Sequence, residues 1–442
     1  MKRFIDQELL QWKDNPVRKP LLIRGARQVG KTYSVRQLAK SFTSYLEVNF
    51  ESDRSVHSFF EKDLSPDEIC MNLSAYYNVP VQDGHTLLFL DEIQVCPFAI
   101  SSLRFFYEKR PGLHVIAAGS LLEFALQELP SFGVGRIDNI FMFPLSFDEF
   151  LLGMGEESLY MFKTTHAFDT PMSLPIHEKL LDYLRKFLVL GGLPEVVNSF
   201  AESRDYLRAQ QILDRLISGY EDDFAKYKKR VPVSRLREVF RYIVLQAGKK
   251  FNASKASESS NHAQIKEALD LLEMAGLVYR VHHTAANGIP LGAEVNLKNF
   301  KVILFDHGIF QRILGLELSS YLTVKDFSTI NKGNLAEQYV GTEIIKNQAR
   351  NLRPQLYYWH REKRGSSAEV DFLVQKNHEI IPIEVKSGMQ GKMQSLRIFL
   401  QGKKISRGIR VSQENFGQYD NIRVLPLYAV RKLFFEKKPI IK

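Results

Sequence analysis

The chain has 442 residues, 45% of them hydrophobic and 25% charged, with a net charge of +10. This is the balance of an ordinary soluble protein with room for real cores, and at roughly 100–200 residues per domain it predicts about two to four domains. The two cysteines, Cys70 and Cys96, form no CxxC pair, which excludes a disulfide framework and a structural zinc site and predicts a reducing, cytoplasmic setting.

A membrane is not an expected partner. The residues Met1 to Glu8 carry acids where a signal peptide needs an apolar run. No stretch approaches the roughly 18 uncharged residues of a membrane span. The best candidate, Phe187 to Val197, is interrupted by Gly191, Gly192, Pro194 and Glu195. The basic surplus favours a polyanionic partner, nucleic acid and DNA first; a merely solubilising charge is the open alternative.

In chain order, Pro20–Arg24, Tyr45–Phe50, Thr86–Leu90, His114–Ala118 and Ile137–Phe143 are short apolar runs bounded by turns, the pattern of buried parallel strands. The helical stretches between them predict βαβ units and a three-layer α/β domain over 1–150. Residues 151–230 read as a helical lid or linker. Lys179–Val189 has helical spacing, the break Gly191-Gly192-Leu193-Pro194 follows, and the basic run 226–230 closes the segment. Residues 231–325 read as helix Ser234–Ala247, polar stretch 252–261, helix His262–Ala275, then strands Leu277–His283 and Val302–Phe305 with Asn287-Gly288 as a turn between them. That order matches a winged helix. Residues 326–442 return to α/β character, with helices Leu335–Ile345 and Met393–Gln401 and strands Leu356–Trp359, Ala368–Val374 and Ile380–Val385.

Gly25-Ala26-Arg27-Gln28-Val29-Gly30-Lys31-Thr32 fits the P-loop pattern GxxxxGK[ST] at every fixed position, after a strand and at the start of a helix. The glycines let the loop turn its amides towards phosphates, and the helix start adds its positive dipole end. Lys31 is expected to reach the β/γ-phosphates of ATP, and Thr32 to ligate Mg²⁺. Asp91-Glu92, after Leu87-Leu88-Phe89-Leu90, reads as a Walker B strand end. Asp91 is expected to hold Mg²⁺ directly or through water, and Glu92 to polarise the attacking water.

With Ala118-Gly119-Ser120, Gly135-Arg136 and Phe143-Pro144-Leu145-Ser146-Phe147-Asp148-Glu149-Phe150, the chain resembles the archaeal-type AAA+ ATPases that carry a DUF4143 region. The resemblance covers nearly the whole chain. It implies a five-stranded parallel sheet in the AAA+ order, Ser120 as the sensor-1 residue, and Arg136 as an arginine finger offered to a neighbouring copy in a homo-oligomer. The bland alternative for Arg136 is an arginine capping helix-end carbonyls. Residues 175–230 contain no identifiable sensor-2 arginine.

A second constellation lies near the C-terminus: Glu337 on a helix, Asp371 in Glu369-Val370-Asp371-Phe372, and Glu384 and Lys386 in Ile383-Glu384-Val385-Lys386. Residues two apart on a strand share a face. The set resembles the PD-(D/E)xK nuclease fold that DUF4143 regions are thought to share. That likeness implies Mg²⁺ held by Asp371 and Glu384 with help from Glu337, and Lys386 orienting the attacking water. Glu369 shares the face of Asp371 and competes for its role. Two other readings stay open: an inherited but inactive fold, and simple ion pairs. The expected function is ATP binding and hydrolysis by a protein that handles nucleic acid, with Mg²⁺-dependent phosphodiester cleavage by the C-terminal region. The alternative is an ATPase switch whose C-terminal region only binds DNA or a protein. The helix from His262, with Lys255, His262, Gln264 and Lys266 near its start, is the expected DNA-recognition element.

Overall fold

The computed structural model describes residues 1–61, 65–128, 133, 135–227, 230–257, 259–316, 333–363, 366–388 and 391–435. The chain divides into two compact units. The first contains Met1–Phe143 together with the short segments Met274–Gly276 and Ala349–Arg353. The second contains Pro144–Glu273, Leu277–Gln348 and Pro354–Lys442.

The first unit is built on strands β1 (Leu21–Arg24), β2 (Ser44–Asn49), β3 (Thr86–Asp91), β4 (His114–Ala118) and β5 (Asp138–Phe141). They run in the order β2-β3-β4-β1-β5, and every pairing is parallel. A parallel five-stranded sheet is what the resemblance implies. The longer helices are α1 (Ile5–Asp14), α2 (Lys31–Ala39), α3 (Pro66–Tyr77), α4 (Pro97–Lys109) and α5 (Leu122–Glu128). Strands β3 and β4 are buried along their whole length, which is why their sequences run apolar rather than alternating. Leu46, Val48, Leu88, Leu90, Val115 and Ala117 pack with Ile69, Leu73, Leu103 and Phe106 of the helices. Each such leucine or phenylalanine contributes about 1.5–3 kcal/mol relative to exposure. Because all the strands are parallel, their C-terminal tips share one edge, and the loops after β1, β3 and β4 meet there.

The second unit opens with helices α6 (Phe147–Gly153), α7 (Glu157–Thr165), α8 (Leu174–Leu190), α9 (Pro194–Ser203), α10 (Tyr206–Asp223), α11 (Val233–Leu245) and α12 (His262–Met274). Strands β6 (Val278–Thr284) and β7 (Val295–Leu304) follow, then helices α13 (His307–Ile313) and α14 (Asn334–Lys346). Next come β8 (Leu356–Lys363), β9 (Ser366–Lys376), β10 (Glu379–Val385), helix α15 (Gln394–Lys403), β11 (Gly408–Ser412), β12 (Gly417–Tyr419) and β13 (Ile422–Pro426). The expected order of two helices and a hairpin over 231–310 is present. Its hairpin, however, joins one eight-stranded sheet, β12-β13-β11-β10-β9-β8-β6-β7, through parallel pairing of β6 with β8. Strands β11 to β13 were not among the expected elements. Of the basic run 226–230, residues 228–229 lie outside the described residues. So do residue 258 of the polar stretch and the expected domain junction at 325/326.

The motif Phe143–Phe150 forms a folding hub. Ser146 caps α6, accepting from the Glu149 amide at 3.3 Å, while the Glu149 carboxylate accepts from the Ser146 amide at 2.9 Å. This is a capping box. The Phe147 amide donates to Glu343 at 3.2 Å, and Lys346 donates to the Leu145 carbonyl at 2.9 Å. Asp148 pairs with Lys163, and both are buried. The Leu145 amide donates to the Gly192 carbonyl at 2.6 Å, and the Gly192 amide to Asp306 Oδ2 at 2.7 Å. The glycine-proline break thus meets the start of α6 and Asp306.

Candidate functional sites

The loop between β1 and α2 has the backbone a phosphate cradle needs. Gly25 lies at φ +141°, where a Cβ would collide with the Met142 carbonyl oxygen. Gln28 and Gly30 also have positive φ, at 65° and 97°, so successive amides turn to one side. Lys31 is only 8% exposed, and its ammonium donates to the carbonyls of Gly25 at 2.9 Å and Ala26 at 2.8 Å. Burial lowers its pKa to about 8, against the pull of Glu92 and Asp91. Thr32 Oγ1 donates to Asp91 Oδ2 at 3.1 Å. Burial and the neighbouring Glu92 raise the Asp91 pKa. A part-buried hydroxyl–carboxylate pair beside the loop is a donor set that suits a Mg²⁺–nucleotide complex.

Glu92 sits at φ 50°, in the left-handed region. A non-glycine residue held there costs about 1–3 kcal/mol, and such strain concentrates at functional sites. Its Oε2 accepts from Gln94 Nε2 at 2.6 Å and from Ser120 Oγ at 3.3 Å. The expected base and the expected sensor therefore touch each other. Sequence reasoning missed Gln94, which holds Glu92 from the side. Gly119 completes the arrangement, because a Cβ there would strike the Gln94 amide oxygen. Near the tip of β1, Arg24 donates to Glu123 at 2.6 Å, and Glu123 also receives Arg353 at 2.6 Å.

Arg136 lies in a turn, its amide donating to the Gly133 carbonyl at 2.9 Å. Its half-exposed guanidinium pairs with Glu108 on α4. Arg27 and Val29 belong to the cradle; Val29 is buried, and its carbonyl accepts from Arg3 at 3.0 Å.

In the second unit, β9 and β10 pair antiparallel in the register Ile383↔Phe372. The next step sets Glu384 beside Asp371. Asp371 Oδ2 accepts from the Val385 amide at 2.7 Å. Lys386 donates to Glu384 Oε1 at 2.6 Å, while Glu384 Oε2 is buried with no hydrogen-bond partner. The Asp371 pKa is raised well above the usual range by burial and by the charges of Glu337 and Glu384. Burial also raises Glu384, against the pull of Lys386. So Asp371, Glu384 and Lys386 come together as expected. Glu337 comes with them, but it is engaged by a residue the sequence reading missed: Lys301 of β7, 2.8 Å from Glu337 and 2.6 Å from Glu369. The signal was a lone lysine inside the apolar run Phe300-Lys301-Val302-Ile303-Leu304.

Among the described residues, no group of three or more His, Cys, Asp or Glu side chains is placed to hold a metal ion. A cation here would rest on two carboxylates, those of Asp371 and Glu384, and on water. Mg²⁺ accepts such a set, since it commonly keeps several waters, and the orphaned Glu384 oxygen fits it.

Of the expected DNA-contacting residues, Lys255, His262 and Lys266 are exposed. Gln264 is engaged in the helix cap: its side chain accepts from the Asn261 amide at 3.1 Å, and its amide donates to Asn261 Oδ1 at 3.0 Å. Among the described residues, no helix is long and apolar enough to cross a membrane.

Residues 17–151 match a family described as an AAA domain. Residues 181–320 and 332–430 match two domains of unknown function, DUF8612 and DUF4143. The chain therefore carries an N-terminal AAA+-like ATPase domain and a separate C-terminal DUF4143 domain. It is 24% identical over 403 residues to an uncharacterized protein of Haemophilus influenzae, spanning 86% of this chain and 84% of that one. Among solved structures, a Walker-type ATPase of Pyrococcus abyssi is 14% identical with a TM-score of 0.44, over 70% of this chain and 94% of that one. The Orc1 protein of Aeropyrum pernix, solved in complex with DNA, is 14% identical with a TM-score of 0.31, over 71% and 93%.

Proposed function

We propose that this protein binds and hydrolyses ATP at the cradle of Lys31, Thr32, Asp91, Glu92 and Ser120. The observation that carries the proposal is the continuity of that array, from a lysine held by loop carbonyls to a strained glutamate held by the sensor serine. Thr32 and Asp91 would hold Mg²⁺, which supplies charge neutralisation at the phosphates. Lys31 leaves two neutral carbonyls for the phosphate oxygens, and Glu92 takes the proton of the attacking water. Lys31→Ala should weaken ATP binding by about 10–100-fold, the worth of a charge-assisted contact. Affinity equal to the wild type by calorimetry would falsify the assignment.

Arg136 is proposed as a finger acting in a neighbouring copy, exchanging Glu108 for phosphate. Arg136→Ala should bind ATP normally and hydrolyse it poorly, and mixing it with Lys31→Ala should restore part of the activity. A wild type that stays monomeric with ATP, at a specific activity independent of concentration, refutes this.

The second half of the proposal is that the protein handles nucleic acid, DNA first, and cleaves it at the Asp371–Glu384–Lys386 site. Mg²⁺ on the two carboxylates would lower the pKa of the attacking water. Lys386 would orient that water, and Asp371 is itself positioned by the Val385 amide. Lys386→Ala should abolish metal-dependent cleavage while sparing ATP hydrolysis. If the full chain cleaves no duplex or single strand with Mg²⁺ or Mn²⁺ yet binds DNA, the switch reading replaces it. The engagement of Glu337 and Glu369 by Lys301 favours that second reading.

A further inference from the structure

Four carboxylates gather between α14 and strands β9 and β10: Glu337 from α14, Glu369 and Asp371 from β9, and Glu384 from β10. Among the described residues, two ammoniums pair with them. Lys386 takes Glu384 at 2.6 Å. Lys301, with only 1% of its side chain exposed, bridges Glu337 and Glu369 at 2.8 and 2.6 Å. Burying an ammonium is expensive unless its charge is paired. A lysine so completely enclosed therefore belongs to the cluster's charge balance. With all four ionised, as a bound cation would hold them, four acids against two ammoniums leave two negative charges, which is what one divalent cation carries.

The acids also divide by how they are engaged. Glu337 and Glu369 each give an oxygen to Lys301. Asp371 is anchored by a backbone amide and Glu384 by Lys386, and Glu384, 5% exposed, keeps one buried oxygen with no hydrogen-bond partner. The pair with an unspent oxygen is thus Asp371 and Glu384.

We propose that Lys301 is a built-in cation standing in place of a second metal ion, so that the cluster takes a single divalent cation on Asp371 and Glu384. The proposal rests on the reading of those two acids as a metal-holding pair. Two-metal phosphodiesterases set their ions about 3.5–4 Å apart and share the charge of the displacement between them. Here an ammonium supplies the second charge permanently. It coordinates nothing and activates no water. Lys301 is therefore a positioning residue: it draws Glu337 and Glu369 out of the ligand set and fixes the count at one.

The test is Mn²⁺ titration by electron paramagnetic resonance, on full-length protein carrying Lys31→Ala and without nucleotide, so that the P-loop is silent. In that background one Mn²⁺ per chain is expected, and it should be lost with Asp371→Asn. Adding Lys301→Met should raise the count to two, because Glu337 and Glu369 are released. A Lys301→Met protein that folds and still binds one ion overturns the proposal, as do two ions with Lys301 intact. No ion with Lys301 intact overturns the two-carboxylate reading and the proposal together. Should Lys301→Met fail to fold, Lys301→Met with Glu337→Gln and Glu369→Gln removes all three charges. That protein should keep one ion with affinity within about threefold, a change of less than 1 kcal/mol. Loss of the ion there shows Glu337 or Glu369 to be a ligand and sinks the proposal.

Discussion

Lys31 and Lys301 are both buried ammoniums beside carboxylates, one in each unit of the chain. Lys31 donates to two neutral carbonyls of its own loop, and burial brings its pKa down to about 8. Lys301 donates to two carboxylates. Burial alone would lower it too, but the charges of Glu337, Asp371 and Glu369 outweigh burial and hold it above its ordinary value. The difference is one of availability. A charge resting on carbonyls can be transferred to an arriving phosphate, since the carbonyls lose only dipolar partners. A charge locked between two acids stays where it is, because the lysine is itself buried and taking it away from Glu337 and Glu369 would break both of its ion pairs. The first arrangement suits a ligand site. The second suits a permanent electrostatic fixture.

The largest effect should come from breaking the chemistry of the first unit without touching its binding charge. Glu92→Gln keeps the side chain's shape and removes its basicity. It should bind ATP as the wild type does and turn over about 10²–10⁴-fold more slowly, the usual worth of general-base help. Single-turnover hydrolysis checks this, and an unchanged rate removes Glu92 from the role.

The next effect is structural and belongs to the second unit. Asp148 and Lys163 form a buried ion pair, and Lys163 also donates to the Tyr428 carbonyl at 3.2 Å. Asp148→Ala leaves the ammonium uncompensated and should cost about 3–5 kcal/mol of stability. Asp148→Leu combined with Lys163→Met should recover most of that loss. Denaturant midpoints measure both. A single variant as stable as the wild type would show that water or another group compensates Lys163.

These cases show what the sequence could and could not reveal. The P-loop pattern was legible because its signal is local: eight consecutive residues carry the glycine conformations, the lysine and the threonine. Asp91-Glu92 was legible as the polar end of a buried strand. Asp371, Glu384 and Lys386 were legible through strand alternation, since two-residue spacing puts side chains on one face. Lys301 was not, because its partners lie on α14 and β9, and no spacing rule links β7 to them. The large sheet was only partly legible for the same reason. The parallel pairing of β6 with β8 depends on contacts between segments more than seventy residues apart. The motif Phe143–Phe150 was visible as a signature, but its meaning was not. Its acids, Asp148 and Glu149, are spent on Lys163 and on the cap of α6.

The smallest expected effect sharpens the contrast between the two lysines most directly. With a pKa of about 8 in the free protein, Lys31 is mostly protonated at pH 7 and mostly neutral at pH 9. Bound phosphate oxygens favour the ammonium, so its pKa must rise on binding ATP. Above pH 8, then, ATP binding takes up a proton at Lys31, and by linkage the affinity must fall as pH rises. The nucleotide's own terminal phosphate, titrating near pH 6, contributes little in that window. A neutral lysine that must first be protonated weakens binding by about tenfold per pH unit at the limit. Between pH 7 and 9 the loss should therefore be about tenfold. Calorimetry in two buffers of different ionisation enthalpy counts the proton directly: uptake should be near zero at pH 7 and approach one at pH 9. Lys31→Ala should abolish the uptake. Lys301 makes no contribution, because its carboxylate partners keep it charged throughout that range. An ATP affinity that is flat from pH 7 to 9 would mean that Lys31 is charged in the free protein throughout that range.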